Sequence, residues 1–341
     1  MQTKIKCVIW DLDNTIWHGI LSEGDALSLN EDAVKTIEIL DKRGILQSIS
    51  SKNDFEPAKE ALIKFGIWDY FIYSQINWGP KSESINRIAK CINIGIDTLA
   101  FIDDSKFELE EVHFTYPEVR CIDTADLRKV CDMDCMIPKF NTSDSALRRK
   151  MYQCDIRRNE MEEHYEGPKE EFLRALEMKF TISRAKETDI QRLEELTVRT
   201  HQLNSTGYTF SYDEILEFIN AEDYEVIVAQ LDDKFGTYGK IGLAIIHKFK
   251  DYWEMKLLLM SCRVTSKGVG NIFLNYLVNM AYENGVRFRA QFIPTDRNRN
   301  MYITFKFNGF KEIEQQEELI IFEYSLTDKR PMPDYAEISM G

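Results

Sequence analysis

Lys6-Cys7-Val8-Ile9-Trp10-Asp11-Leu12-Asp13-Asn14-Thr15 decides the fold of the first third of this chain. Its apolar residues run together without alternation, as in a strand buried on both faces. The run then breaks into two carboxylates that flank a leucine. Three further apolar runs follow: Gly44–Ser50, Phe71–Tyr73 and Thr98–Ile102. Helical spacing fills the gaps at about 31–43, 55–65 and 82–93, with Ile85, Ile88, Ala89 and Ile92 on one stripe. Strand–helix alternation of this kind predicts an α/β fold with a doubly wound parallel sheet.

Polar groups cluster after the runs. The first leads to Asp11, Asp13, Asn14 and Thr15, and the second to Ser50, Ser51, Lys52 and Asn53. Gly79-Pro80-Lys81-Ser82 precedes the third helix, and the fourth run ends in Asp103-Asp104. Ligands of open α/β sheets bind beyond the carboxyl ends of the strands. A carboxylate can act as nucleophile on a phosphoryl group, and a second can serve as general acid and base. Mg²⁺ takes one or two carboxylates together with phosphate and water. A lysine offsets phosphoryl charge. An isolated Asp-x-Asp is a weak signal, because aspartates are common in turns. Four elements in the right order make it a strong one.

These segments resemble the four motifs of the haloacid dehalogenase (HAD) superfamily. The stretches Lys6–Trp17, Ser51–Asp54, Ile76–Ser84 and Phe101–Asp104 resemble its FkbH-like subfamily more narrowly. The resemblance implies a HAD-type sheet without a large cap, followed by an acyltransferase-like domain. It also implies transfer of a glyceryl-type acyl group from 1,3-bisphosphoglycerate to an acyl carrier protein, with phosphate removal. Asp11 would be the nucleophile or phosphate-site carboxylate, and Asp13 the acid/base with its carbonyl on Mg²⁺. Asn14, Thr15, Ser50, Ser51, Lys52, Asn53 and Lys81 would line the phosphate site. Asp11 and Asp103 would ligate Mg²⁺ together with Asp13, with Asp104 supporting them. One departure stands out: Ser50 lies where many relatives carry a cysteine, and a hydroxyl is the poorer nucleophile near neutral pH. It favours the alternative of a stand-alone phosphatase on a small phosphorylated metabolite. Cys7 is read as a small buried hydrophobe. His18, after Trp17, could titrate near neutrality.

Residues 179–327 resemble a GNAT-type acetyltransferase fold. Met260–Gly270 runs from a strand into a helix, and Asn300–Phe310 resembles the later helix-to-strand motif. Arg263, Gly268 and Gly270 are candidates for holding a pantetheine arm, and His201 is a candidate base. Thr265 and Phe305 stand where such enzymes usually have Arg or Gln and Tyr, which weakens an independent acetyltransferase reading. The division expected is therefore 1–125 HAD-like, 126–178 a charged helical connector, 179–327 GNAT-like and 328–341 a loose tail.

The composition bounds the partners. A net charge of −14 argues against general nucleic-acid binding. Any phosphate site must then be made locally positive by a metal, a lysine or a helix N-terminus. No stretch reaches the roughly 18 to 20 apolar residues of a membrane span. The first residues, from Met1 and Gln2, lack a signal-peptide pattern. Seven cysteines, with only Cys131 and Cys135 close together, point to a reducing, cytoplasmic setting.

Overall fold

A computed structural model of the chain describes residues 3–140, 142–325 and 327–341. Met1 and Gln2 lie outside the described residues. The chain divides into two units, Met1–Ile156 and Arg157–Gly341.

The first unit is built on β1 (Cys7–Trp10), β4 (Leu46–Ser51), β5 (Gln75–Ile76), β6 (Leu99–Asp103) and β7 (Arg120–Asp123). All neighbours are parallel, in the order β5-β4-β1-β6-β7. β1 is central and wholly buried. Its residues divide between the two faces. Val8 and Trp10 pack in the cluster that holds α1 (Glu31–Lys42), α2 (Phe55–Lys64) and α5 (Leu127–Val130). Cys7 and Ile9 pack in the cluster that holds α3 (Lys81–Ile92) and α4 (Lys106–Thr115). Burying one such isoleucine contributes about 1.5–3 kcal/mol. The sheet is thus doubly wound, as expected. A two-stranded ribbon, β2 (Trp17–His18) with β3 (Ser28–Leu29), is the main addition between β1 and α1, so no large cap follows the aspartate loop.

Two details differ from the sequence reading. Phe71–Tyr73 is not the third strand: Phe71 makes a single bridge to Gln47, and Tyr73 has φ 50°, which ends extended pairing. The strand forms at Gln75–Ile76 instead. The charged segment also does more than connect. In α6 (Ser143–Ala146) and α7 (Arg148–Glu163), Arg149 holds both oxygens of Asp41 on α1 at 2.8 and 3.2 Å. Further along α7, Arg158 is buried on Asp233, with contacts of 2.6 and 2.7 Å, and lies 3.7 Å from the Tyr238 ring centre. Arginines that bury a bidentate pair are anchors, not solvated charge.

The second unit is an eight-stranded mixed sheet, ordered β13-β14-β12-β11-β10-β9-β8-β15. Its strands are β8 (Met178–Arg184), β9 (Tyr224–Asp233), β10 (Gly236–Lys248), β11 (Tyr252–Met260), β12 (Arg287–Phe292), β13 (Phe310–Gln316), β14 (Leu319–Tyr324) and β15 (Ala336–Met340). One face packs on α8 (Lys169–Ala175), α11 (Val269–Glu283) and α12 (Arg299–Phe307). The other packs on α9 (Ile190–Arg199) and α10 (Tyr212–Asn220). The segment after Thr327, expected to be loose, supplies β15, which pairs parallel with β8. Its prolines, Pro331 and Pro333, precede the strand and leave its ladder intact.

Candidate active site

The parallel register lines the site up. Trp10 pairs with Ile49 on one side and Ile102 on the other. One residue further, Ser50, Asp11 and Asp103 stand level across the carboxyl ends of β4, β1 and β6. The Asp11 amide continues the ladder by donating to the Ile102 carbonyl at 3.0 Å. This is the end of the sheet where strand order reverses, and there the crevice of such a fold opens.

Lys81, the first residue of α3, closes over this row. Its ammonium lies 2.7 Å from Asp11 Oδ1 and 2.5 Å from Asp103 Oδ2. All three side chains are buried. Burial pushes the Asp11 carboxyl up to about 6; Lys81 opposes that shift and Asp103 adds to it. Burial raises Asp103 as well, against the pull of Lys81. Lys81 is held above its usual range: burial works against its charge, but the two carboxylates outweigh it.

Asp13 does not share Lys81 but is linked to Asp11 through Asn53 and Ser51. Its carboxylate accepts from the Trp17 indole at 2.8 Å, the Leu21 amide at 3.1 Å and the Asn53 amide at 3.0 Å. These bonds tie the aspartate loop to the small ribbon and to the loop after β4. Asn53 also donates to Ser51 at 3.2 Å. Asn14 adopts φ 53° and accepts from Gly19, which shapes the turn. Lys52 pairs with Glu108 of α4 at 2.7 Å.

The arrangement fits a divalent cation and a phosphoryl group. Carboxylate oxygens of Asp11, Asp103 and Asp104 lie within 4.8 Å of one another. Three carboxylates against one ammonium leave two negative charges uncompensated, and hard oxygen donors suit Mg²⁺. Buried Thr15 Oγ1, Ser50 Oγ and Asn53 Oδ1 have no hydrogen-bond partner in the protein. The Thr15 and Ser50 hydroxyls can donate to a phosphoryl oxygen, whereas Asn53 Oδ1 can only accept. Cys7 offers no thiolate: it is fully buried, and burial pushes its thiol far up. His18 is exposed in the ribbon.

Two contributors escaped sequence reading. Glu108 holds Lys52, and Glu111 accepts from the Ser82 hydroxyl and, at 3.3 Å, from its amide. Glu111 thereby fixes the first turn of α3, which carries Lys81. Both glutamates lie on α4, whose apolar residues follow no single stripe.

In the second unit Gly268 and Gly270 line one cavity together, whereas Arg263 and His201 are not among its lining residues. β11 pairs with β12 only over Tyr252–Met255. Beyond that, the chain itself fills the gap between the diverging strands. Leu258 and Met260 donate to Ser205 Oγ and the Leu203 carbonyl, and Ser205 bonds to Leu258 on one side and Ile293 on the other. Asn204 and Ser205 are fully buried. A cavity of about 120 Å³ remains beside them, lined by Leu203, Leu258, Met260 and Met301 and by Thr265, Gly268 and Gly270. Arg263 donates to the Tyr238 carbonyl, and Lys267 pairs with Glu162 at 3.0 Å. A Cβ on Gly268 would strike the Tyr335 phenol, so this glycine makes room for Tyr335 as well as adopting φ 72°. Gly270 faces open space. His201 is exposed after α9, and Phe305 is sealed in the core.

No family model and no curated protein matches the chain. Among solved structures it is similar to the N-terminal part of protein BF1531 from Bacteroides fragilis, which contains a phosphatase domain complexed with Mg. That match has 30% identity over 37% of this chain and 38% of that one, with a TM-score of 0.33. The chain thus spans well under half of that protein's length. It is also similar to the ribosomal-protein-S18-alanine N-acetyltransferase of Escherichia coli, with 17% identity over 42% of this chain and 92% of that one, TM-score 0.35. A third is the PaiA N-acetyltransferase of Thermoplasma acidophilum in complex with coenzyme A, with 16% identity over 43% and 98%, TM-score 0.36.

Proposed function

We propose that the first unit is a HAD-type, Mg²⁺-dependent site for phosphoryl chemistry. In its fuller form, the protein processes an acyl phosphate and passes a glyceryl-type acyl group from 1,3-bisphosphoglycerate to an acyl carrier protein. The observation that carries the phosphoryl reading is Lys81 bridging Asp11 and Asp103 beside the orphaned Thr15, Ser50 and Asn53 atoms.

Asp11 attacks phosphorus, and the bond from phosphorus to the leaving oxygen breaks. Asp13 gives that oxygen its proton and then takes one from the water that releases phosphate from Asp11. Trp17 and Leu21 both donate to Oδ1 of Asp13, which leaves Oδ2, the oxygen facing Asn53, to carry the proton. Lys81 and the Thr15 hydroxyl hold the phosphoryl oxygens, while Asn53, whose side-chain N–H groups go to Asp13 and Ser51, positions those two residues. Asp11, Asp103 and Asp104 would hold Mg²⁺, which when bound neutralises charge on those oxygens. Acyl transfer needs no protein thiol if the carrier's own thiolate attacks the acyl carbonyl and phosphate leaves.

A second reading, a phosphatase acting on a small phosphorylated metabolite, is favoured by Ser50. It stands level with Asp11 in the sheet register and carries a hydroxyl where relatives carry a thiol, and the Cys7 thiol is sealed in the core.

The test is intact-mass spectrometry of an acyl carrier protein incubated with this protein, Mg²⁺ and 1,3-bisphosphoglycerate, with phosphate release followed in parallel. A glyceryl mass gain on the carrier is expected. Phosphate release without it selects the phosphatase reading. In Asp11→Asn, phosphate release falls to that of the protein-free control while the fold persists; full turnover in that variant rejects the site.

A further inference from the structure

The helix that carries Lys81 starts without a cap of its own. The first amides of a helix have no partner inside it. The residue before Lys81 is Pro80, which makes no side-chain cap bond. The acceptor comes from another helix. Glu111 of α4 takes the Ser82 amide at 3.3 Å with one carboxylate oxygen and the Ser82 hydroxyl with the other. Ser82 is buried and directly follows Lys81. Packing fixes where Glu111 stands: its neighbour Val112 is fully buried in one cluster with Ile85 and Ile88 of α3.

The start of α4 is tied to the site as well. The Ser105 amide donates to Asp103 Oδ1 at 2.8 Å, and the Ser105 hydroxyl accepts from the Glu108 amide at 3.5 Å to cap α4. The contacts close a ring. Lys81 reaches Asp103, Asp103 holds the start of α4, and α4 returns through Glu111 to the residue beside Lys81. A lysine stem is long and flexible, so its ammonium keeps one place over two carboxylates only if the backbone beneath it is fixed. Glu111 fixes that backbone. Its own oxygens face Ser82, and the carboxylates that gather for a cation are Asp11, Asp103 and Asp104.

We propose that Glu111 is a positioning residue, which acts on the phosphoryl group through Lys81 by anchoring the first turn of α3. This rests on the phosphoryl reading of the Asp11 site. The expected sign is opposite to that of charge alone. Removing a carboxylate near an anion site strengthens anion binding when only its charge matters. Removing the anchor of Lys81 weakens it.

The test is calorimetric binding of inorganic phosphate to the full chain with Mg²⁺. Glu111→Ala is expected to bind phosphate about tenfold more weakly than the wild type, the factor for one lost contact from a charged donor. Glu111→Gln, whose amide oxygen can still accept from the Ser82 hydroxyl, loses less. In a Lys81→Met background Glu111→Ala no longer weakens binding, because the group it acts through is gone. A purely structural role weakens binding in both backgrounds, and a purely electrostatic one strengthens it in both; either result overturns the proposal. So does a Glu111→Gln variant as weak as Glu111→Ala, and this arm decides alone where Lys81→Met does not fold. If phosphate does not bind the wild type, the phosphoryl reading falls and the role of Glu111 with it. If it binds the wild type and Glu111→Ala equally, the positioning role alone falls.

Discussion

Replacing Lys81 with methionine tests the electrostatic logic of the site more sharply than any catalytic assay. The variant keeps the side-chain length and leaves Asp11 and Asp103 facing each other without the ammonium that lies 2.7 and 2.5 Å away. Removing one partner of a buried ion pair costs about 3–5 kcal/mol. Here protonation limits the cost. In the wild type the folded Asp11 carboxyl titrates at about 6, above an unfolded value of about 3.9. The folded state therefore binds the proton more tightly, and stability falls as pH rises from about 4 to 6, then levels off. Without Lys81 the folded value climbs further, so the fall continues above 6. Each unit of that climb adds about 1.4 kcal/mol to a deficit that is fully present at pH 8 and shrinks toward pH 5. Urea unfolding in EDTA, followed by the fluorescence of buried Trp10 and Trp17, reads this directly. A variant as stable as the wild type at pH 8, or a deficit that grows as pH falls, would refute the reasoning.

Three further outcomes follow from the same structure. Mg²⁺ affinity should weaken about tenfold per pH unit below 6, because protons then compete for Asp11, and calorimetry in two buffers should show a proton released on binding at pH 5.5. Arg158→Leu should destabilise the second unit by about 3 kcal/mol in thermal or urea unfolding, the low end for a buried pair. The low end applies because Asp233 still accepts from Phe235, Gly236 and Tyr238. Free acetyl-CoA should not bind the chain measurably by calorimetry, because the β11 edge is already bonded to Leu203 and Ser205; micromolar binding would show that this segment yields.

The centre of the site was legible because a parallel sheet collects its chemistry at strand ends. Once Cys7–Trp10 reads as a doubly buried strand, Asp11 must emerge at the crevice. The same rule brings Ser50 and Asp103 level with it. Lys81 was legible because Gly79-Pro80 announces a helix start. What stayed hidden lies where burial and pattern part company. α4 has Phe107 and Phe114 exposed by 71% and 89%, so it shows no apolar stripe, and Glu108 and Glu111 were lost with it. β7 is four residues long and begins with an exposed arginine. The α7 arginines read as solvated because sequence cannot show that Asp41 and Asp233 wait for them.

The second unit shows the converse limit. Gly268 and Gly270 follow a local pattern that matches a phosphate-binding helix start, yet the pattern does not say what stands in front of it. Tyr335, sixty-seven residues on, takes the space that Gly268 leaves and donates to its carbonyl at 3.1 Å. Leu203–Ser205 takes the strand edge for the same reason that such an edge would bind a ligand: diverging strands leave backbone groups that must be satisfied. In the first unit Thr15, Ser50 and Asn53 are among the side chains with a buried polar atom left without a partner among the described residues. The Asp11 site gathers three carboxylates and a buried lysine, whereas the cavity at the glycine-rich helix start is lined by no charged side chain, and that difference is why the chemistry is proposed at Asp11.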